Sequence, residues 1–244
     1  SSGVGLVVDE QRGYVVVTRS TVNTALGDAE LTFLARTRVP AEVVWLDPRH
    51  GFALLRYDPA KLAGLPIRAL PMSRAALKAG DSVQVVGIVN SGQVLGRKTQ
   101  VKRMVPLELP LPHPPRYYAR DLDVITLLEP PNHISGGVLL DSSGQVVGLW
   151  GGLDIYSHAK RRMNASRVGF PASVIMDAAN QLFREGGAQA YDPGFEFRRV
   201  TLRYAQDLGV PEHWLVQLEK AGGERPGALQ VRRRSPTHDA RKVL

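Results

Sequence analysis

"NHISGGVLLDSSGQVVGLW", residues 132–150, decides how the rest of the chain is read. Ser135 stands before Gly136 and Gly137, a pair that permits a tight turn and close backbone approach. "GVLLD" and "QVVGLWG" then flank "SSG", the pattern of two strands joined by a short turn. A hydroxyl presented beside such a turn is a candidate nucleophile, and Ser135 is the first residue to place.

Working outward, residues 1–130 repeat the same grammar. "VGLVVD" and "YVVVT" flank "EQRG" as a hairpin. "AEVVWL" leads through "DPRHG" to "FALLRY", and "DSVQVVGI", "KTQVKRMV" and "LDVITLL" continue the series. β-Branched residues dominate these runs, and turn residues recur about every ten positions, which predicts an all-β barrel or sandwich. A helix is predicted over 171–187, "PASVIMDAANQLFREGG". Pro171 stands at its start, Val174, Ile175, Ala178, Leu182 and Phe183 form one apolar face, and Gly186 and Gly187 cap its end.

The character changes after residue 187. "AQAYDPGFEF" reads as a linker. "TLRYAQDLGVP" reads as a short helix near 203–208 ended by Gly209 and Pro211. "HWLVQLE" (213–219) and "ALQVRR" (228–233) read as strands. The division expected is 1–190 for the β domain and 191–244 for a second, α+β segment.

Composition bounds the chemistry. The 244 residues contain no cysteine, so disulfides, thiol catalysis and thiolate metal sites are excluded. The six histidines, at 50, 113, 133, 158, 213 and 238, show no helical metal spacing, and neither metal nor cofactor is expected. No apolar run approaches the ~18 residues of a membrane span. Net charge is +8, with basic runs at 160–162, 198–199 and 232–234. Aromatics make up only 7% and do not interleave with these runs, so nucleic acid is not the expected partner.

Four ordered segments resemble the HtrA/Deg serine peptidases, which have a trypsin-like double β-barrel followed by PDZ domains. "SSGVGLVVDEQRGYVVVTRSTV" is similar to the family opening that leads to the catalytic histidine. "DPRHGFALLRYD" is similar to the segment of the catalytic aspartate, "HISGGVLLD" to the nucleophile segment, and "SRVGFPASVIMDAANQLFREG" to the closing strand and helix. The resemblance implies an all-β, trypsin-like double β-barrel with a C-terminal helix, followed by a partial PDZ-like α+β segment. It also implies that Thr21, Gly51 and Ser135 converge between two six-stranded barrels.

Carried over residue by residue, the resemblance puts Thr21 where the family has histidine and Gly51 where it has aspartate, and keeps Ser135. A serine hydroxyl needs an adjacent base, itself oriented by a third group. Threonine has no useful basicity, and glycine has no side chain. The family's oxyanion-hole glycine, two residues before the serine, is replaced by His133. His50, with Asp47 near, is the one substitute base the segment offers.

This pattern resembles the degenerate second protease half of tandem HtrA-like proteins, some nuclear and others of plastids. The tail resembles the start of the PDZ domain that follows it, and the chain is expected to lack pieces at both ends. The function implied is a scaffold, or a client-binding and regulatory half, of a larger protein-quality-control protease. Its expected partners are protein or peptide clients and other subunits or an upstream active half. The alternatives are an active endopeptidase using Ser135 with a substitute base, and a basic surface for nucleic acid. An intracellular location is expected, with the nucleus one compartment and the plastid the alternative.

Overall fold

The computed structural model describes residues 2–22, 27–47, 50–89, 91–107, 122–157, 162–184, 195–222 and 226–234. The chain divides into two compact units, 1–188 and 189–244. The first begins with β1 (Gly5–Asp9), β2 (Tyr14–Thr18), β3 (Ala29–Phe33), β4 (Thr37–Leu46) and β5 (Phe52–Tyr57), all antiparallel in the order β1-β2-β5-β4-β3. Then come β6 (Ser82–Ile88), β7 (Val94–Leu107), β8 (Leu122–Leu127), β9 (Gly137–Leu140), β10 (Val146–Ser157) and β11 (Arg162–Pro171). These six close into a barrel in the order β10-β11-β8-β7-β6-β9. The all-β expectation holds. The first layer differs from the six-stranded barrel expected of it: five strands pair among the described residues, and they form an open sheet.

Alternation explains the cores. In β6 the pattern Val83-Gln84-Val85-Val86-Gly87 buries Val83 and Val85, which join Ile125, Leu139, Val147 and Trp150 inside the barrel. β5 is buried on both faces at Phe52–Leu55. One face packs with Val15, Val17 and Val39, and the other with Phe170, Leu149 and Ile175. The second cluster joins the open sheet to the barrel. Helix α1 (Ala172–Phe183) closes the unit. It buries Ala172, Ile175, Ala178 and Ala179, while Val174 and Leu182 pack partly against the same core. Phe183 lies 4.8 Å from the Tyr14 ring, under the Arg12 guanidinium. The helix ends at Phe183, earlier than predicted, because Arg184 is already extended at φ −77°, ψ 149°. Gly186 and Gly187 lie outside the described residues.

The β9–β10 turn is tied by Asp141, whose Oδ1 accepts from the Ser143 hydroxyl (2.7 Å) and from the Ser143 and Gln145 N–H groups (2.9 Å each). The Ser143 hydroxyl and then these backbone donors hold the Asp141 carboxyl below its usual range. A lowered native pKa contributes stability that is present above the unfolded value, near ~4, and lost as pH falls through the native one. Asp141→Asn is therefore expected to lower the urea midpoint at neutral pH. The difference from the parent should vanish in strong acid. A gap that stays constant across that range would contradict the assignment.

The second unit contains β12 (Phe195–Val200), α2 (Leu202–Asp207), α3 (Glu212–Ala221) and β13 (Ala228–Arg234). β12 and β13 pair antiparallel. Part of the segment read as a linker is thus strand, from Phe195 onward, and residues 188–194 lie outside the described set. The Thr201 hydroxyl caps α2 by accepting from Tyr204 N–H. The segment 213–219, expected as a strand, is helical. As a strand it would place Trp214, Val216 and Leu218 on one face. As a helix it buries Leu215 and leaves Trp214 53% and Val216 38% exposed. Pro211 before its first residue, Glu212 in the first turn and Lys220 in the last all favour helix. An apolar run this short does not distinguish the two periods.

Candidate functional site

The loop that carries Ser135 is fixed from inside the barrel. Trp150, fully buried on β10, donates its indole N–H to the Ile134 carbonyl at 3.0 Å. Arg167 donates to the Asn132 carbonyl, also at 3.0 Å. Ile134 is buried, and His133 and Ser135 are exposed on either side of it. Gly136 and Gly137 then pass against β6 so closely that a Cβ on Gly87 would lie 2.1 Å from the Gly136 carbonyl oxygen. A Cβ on Gly137 (φ 155°) would lie 2.0 Å from that of Val86. These glycines are required by backbone proximity.

Thr21 lies just past the end of β2, and the N-terminal strand links it to this loop. Gly3 sits directly against the Thr21 side chain, and the next residue, Val4, against Gly136. Thr21 and the serine loop are thus brought to one place by a single dipeptide. Gly51 joins them through β2, since its carbonyl accepts from Arg19 N–H at 2.7 Å. These contacts run from Gly3 and Val4 to Thr21 and Gly136, and from Arg19 to Gly51.

The chemistry at that place is a hydroxyl network. Thr18 Oγ1 is 3.0 Å from Ser20 Oγ and 3.1 Å from Thr21 Oγ1. Ser20 Oγ donates to the Gly152 carbonyl at 3.1 Å, on β10 beyond its last pair with β9 at Trp150↔Gly137. Thr18 is buried, with its methyl group against Gly151. Thr18 and Ser20 were not singled out from the sequence, although the hydroxyl run Thr18-Arg19-Ser20-Thr21 was visible there. No hydrogen bond among the described residues reaches Ser135.

His50 is held by Asp47. Its backbone N–H and its Nδ1 both meet Asp47 Oδ1, the ring at 3.1 Å. Asp47 is buried, and His50 stacks over Phe52 at 6.5 Å. This is an oriented imidazole, and among the described residues no hydrogen bond links it to Ser135. Gly51 takes φ +72°, where a Cβ would meet the Phe170 ring at 2.9 Å. Of the non-glycine residues described, only Leu34 and Ala35 have positive φ, so His133 does not adopt the left-handed conformation open to glycine. No group of three or more His, Asp or Glu fit to hold a metal occurs among the described residues.

Residues 3–149 match the trypsin-like peptidase domain. Over 241 residues the chain is 30% identical to the Pro-apoptotic serine protease NMA111 of Saccharomyces cerevisiae, covering 96% of this chain and 24% of that protein. Over 226 residues it is 30% identical to the PDZ domain-containing protein C23G3.12c of Schizosaccharomyces pombe, covering 91% and 22%. The chain therefore spans about a quarter of the length of these curated relatives. Among solved structures, HtrA-type protease AlgW with decapeptide superimposes with a TM-score of 0.62 at 17% identity, covering 98% of this chain and 65% of that one. Deg5 does so at 0.54 and 17%, covering 75% and 84%. At such identities the likeness is one of fold.

Proposed function

Because this chain belongs to the trypsin-like peptidase domain family and has the fold of the HtrA-type proteases, we propose that it is a catalytically degenerate member, a client-holding or regulatory half of a larger protein-quality-control protease. One observation carries the reading: Ser135 is exposed with no hydrogen-bonded base among the described residues, while the hydroxyl at the base position, Thr21, bonds to Thr18. In a comparable triad, losing the base alone lowers kcat by about 10⁶. The likeness to NMA111, which is named a serine protease, supports the family and leaves the chemistry of this domain to its own residues. The partners proposed are extended peptide or protein clients and further subunits or an active half. The compartment proposed is the nucleus, with the plastid as the alternative.

The Asp47–His50 pair favours a second reading, a working peptidase with a substitute base. With Nδ1 held by a buried carboxylate, Nε2 is the nitrogen left to take a proton, the tautomer logic of a triad. A fluorophosphonate probe separates the two. The degenerate reading predicts no labelling of Ser135 and no casein hydrolysis. Labelling that is lost in both Ser135→Ala and His50→Ala would establish the second reading instead.

A further inference from the structure

Strand β7 is longer than the strand that covers it. Its 14 residues pair with β6 over 94–100 and with β8 over 101–107. β8 then peels away. Leu128 N–H still donates to the Gln100 carbonyl at 3.0 Å and Glu129 N–H to Thr99 Oγ1 at 3.3 Å. The Glu129 carboxylate reaches Arg97 at 3.5 Å. Pro130 and Pro131 follow, and neither has an N–H with which to continue a ladder. Among the described residues, no strand pairs with 94–98 on the side away from β6.

That edge is unusual in what it exposes. Val94 is 67% exposed and Leu95 43%, and Ile88, directly across from Val94, is 43% exposed. Arg97 and Lys98 follow, both exposed, with exposed Lys102 and Arg103 further along. Unpaired strand edges bind extended chains through their backbone groups, and side chains select among them. Glu129 already shows which charge the Arg97 end takes.

We propose that the 94–98 edge of β7 binds an extended peptide antiparallel to it, in the track that β8 leaves at Pro130. Antiparallel addition puts the peptide's earlier residues beside Lys98 and Arg97 and its later ones beside Leu95 and Val94. The fitting segment therefore reads acidic first and apolar afterwards, with backbone N–H groups free. The site is a barrel edge, and it stands or falls independently of any chemistry at Ser135.

The test uses the whole chain and a fluorescent probe, acetyl-Glu-Glu-Thr-Val-Thr-Val-amide, read by anisotropy. Hydrogen exchange is followed over residues 94–98 in parallel. Saturable binding that slows exchange at 94–98 is expected. It should weaken about tenfold in Arg97→Glu/Lys98→Glu, as exposed charge pairs are worth a few-fold each. Lysine in place of both probe glutamates should weaken binding by a similar factor, and proline at alternate probe positions should abolish it. Absence of saturable binding overturns the proposal. Equal binding by the charge-reversed variant overturns the charge assignment. Equal binding of the proline probe, or unchanged exchange at 94–98, shows that no strand is added.

Discussion

Thr21→His with Gly51→Asp, the substitutions that restore a base and its orienting carboxylate at the family positions, should yield a less stable protein and almost no enzyme. Gly51 holds φ +72°, and a side chain there costs ~1–2 kcal/mol in backbone energy. Its Cβ would also stand 2.9 Å from the Phe170 ring, which is 1% exposed and packed on Leu149 and Ile175. Overpacking of that kind adds ~1–3 kcal/mol. The double variant should therefore unfold at clearly lower urea than Thr21→His alone. His133 still occupies the position of the oxyanion donor, so hydrolysis should stay near background. Adding His133→Gly is worth ~10²–10³ in kcat if the peptide then turns toward the site. A double variant as stable as the parent that cleaves casein would show that the vacancy at Gly51 is simply a lost side chain. The geometry instead describes a segment that has settled into a conformation glycine takes most readily.

Gly137→Ala should be the most damaging single substitution near Ser135. The added Cβ would lie 2.0 Å from the Val86 carbonyl oxygen and 2.6 Å from the Gly87 Cα. Both are backbone atoms of β6, the strand that pairs with β9 at Gly87↔Gly137. A flexible side chain can rotate away from such a contact, but a paired strand cannot without opening the barrel. A loss of about 3 kcal/mol or more is expected. Ser135→Ala, two residues earlier and exposed, should change stability by ~0.5 kcal/mol or less. Urea unfolding of the two variants measures the contrast. Near-equal midpoints would mean that β9 is not held against β6 as described. The pairing also gives the Ser-Gly-Gly turn a structural role: the glycines carry the barrel closure whether or not the serine reacts.

Much of this was legible in the order of residues. Alternation in β6 announces a strand because a buried face repeats every second residue, and the β-branched and apolar runs of β2 and β5 announce theirs. The apolar spacing of 174–182 announces α1 because 3.6 residues make a turn. Thr21, Gly51 and Ser135 could be named from the sequence because a resemblance is read letter by letter. The segment 213–219 could not be assigned. Its four apolar residues fit both periods, and the outcome was set by the burial of Leu215 with Val200 and Ala205. Nor could the sequence show that Gly51 is left-handed, that His50 has turned onto Asp47, that Ser20 has taken the Gly152 carbonyl, or that β7 outruns β8. Each of these depends on which backbone or side chain, distant in sequence, arrives within contact distance. One-dimensional periodicity carries the face that a residue presents. Only the closed packing of strands decides what that face meets.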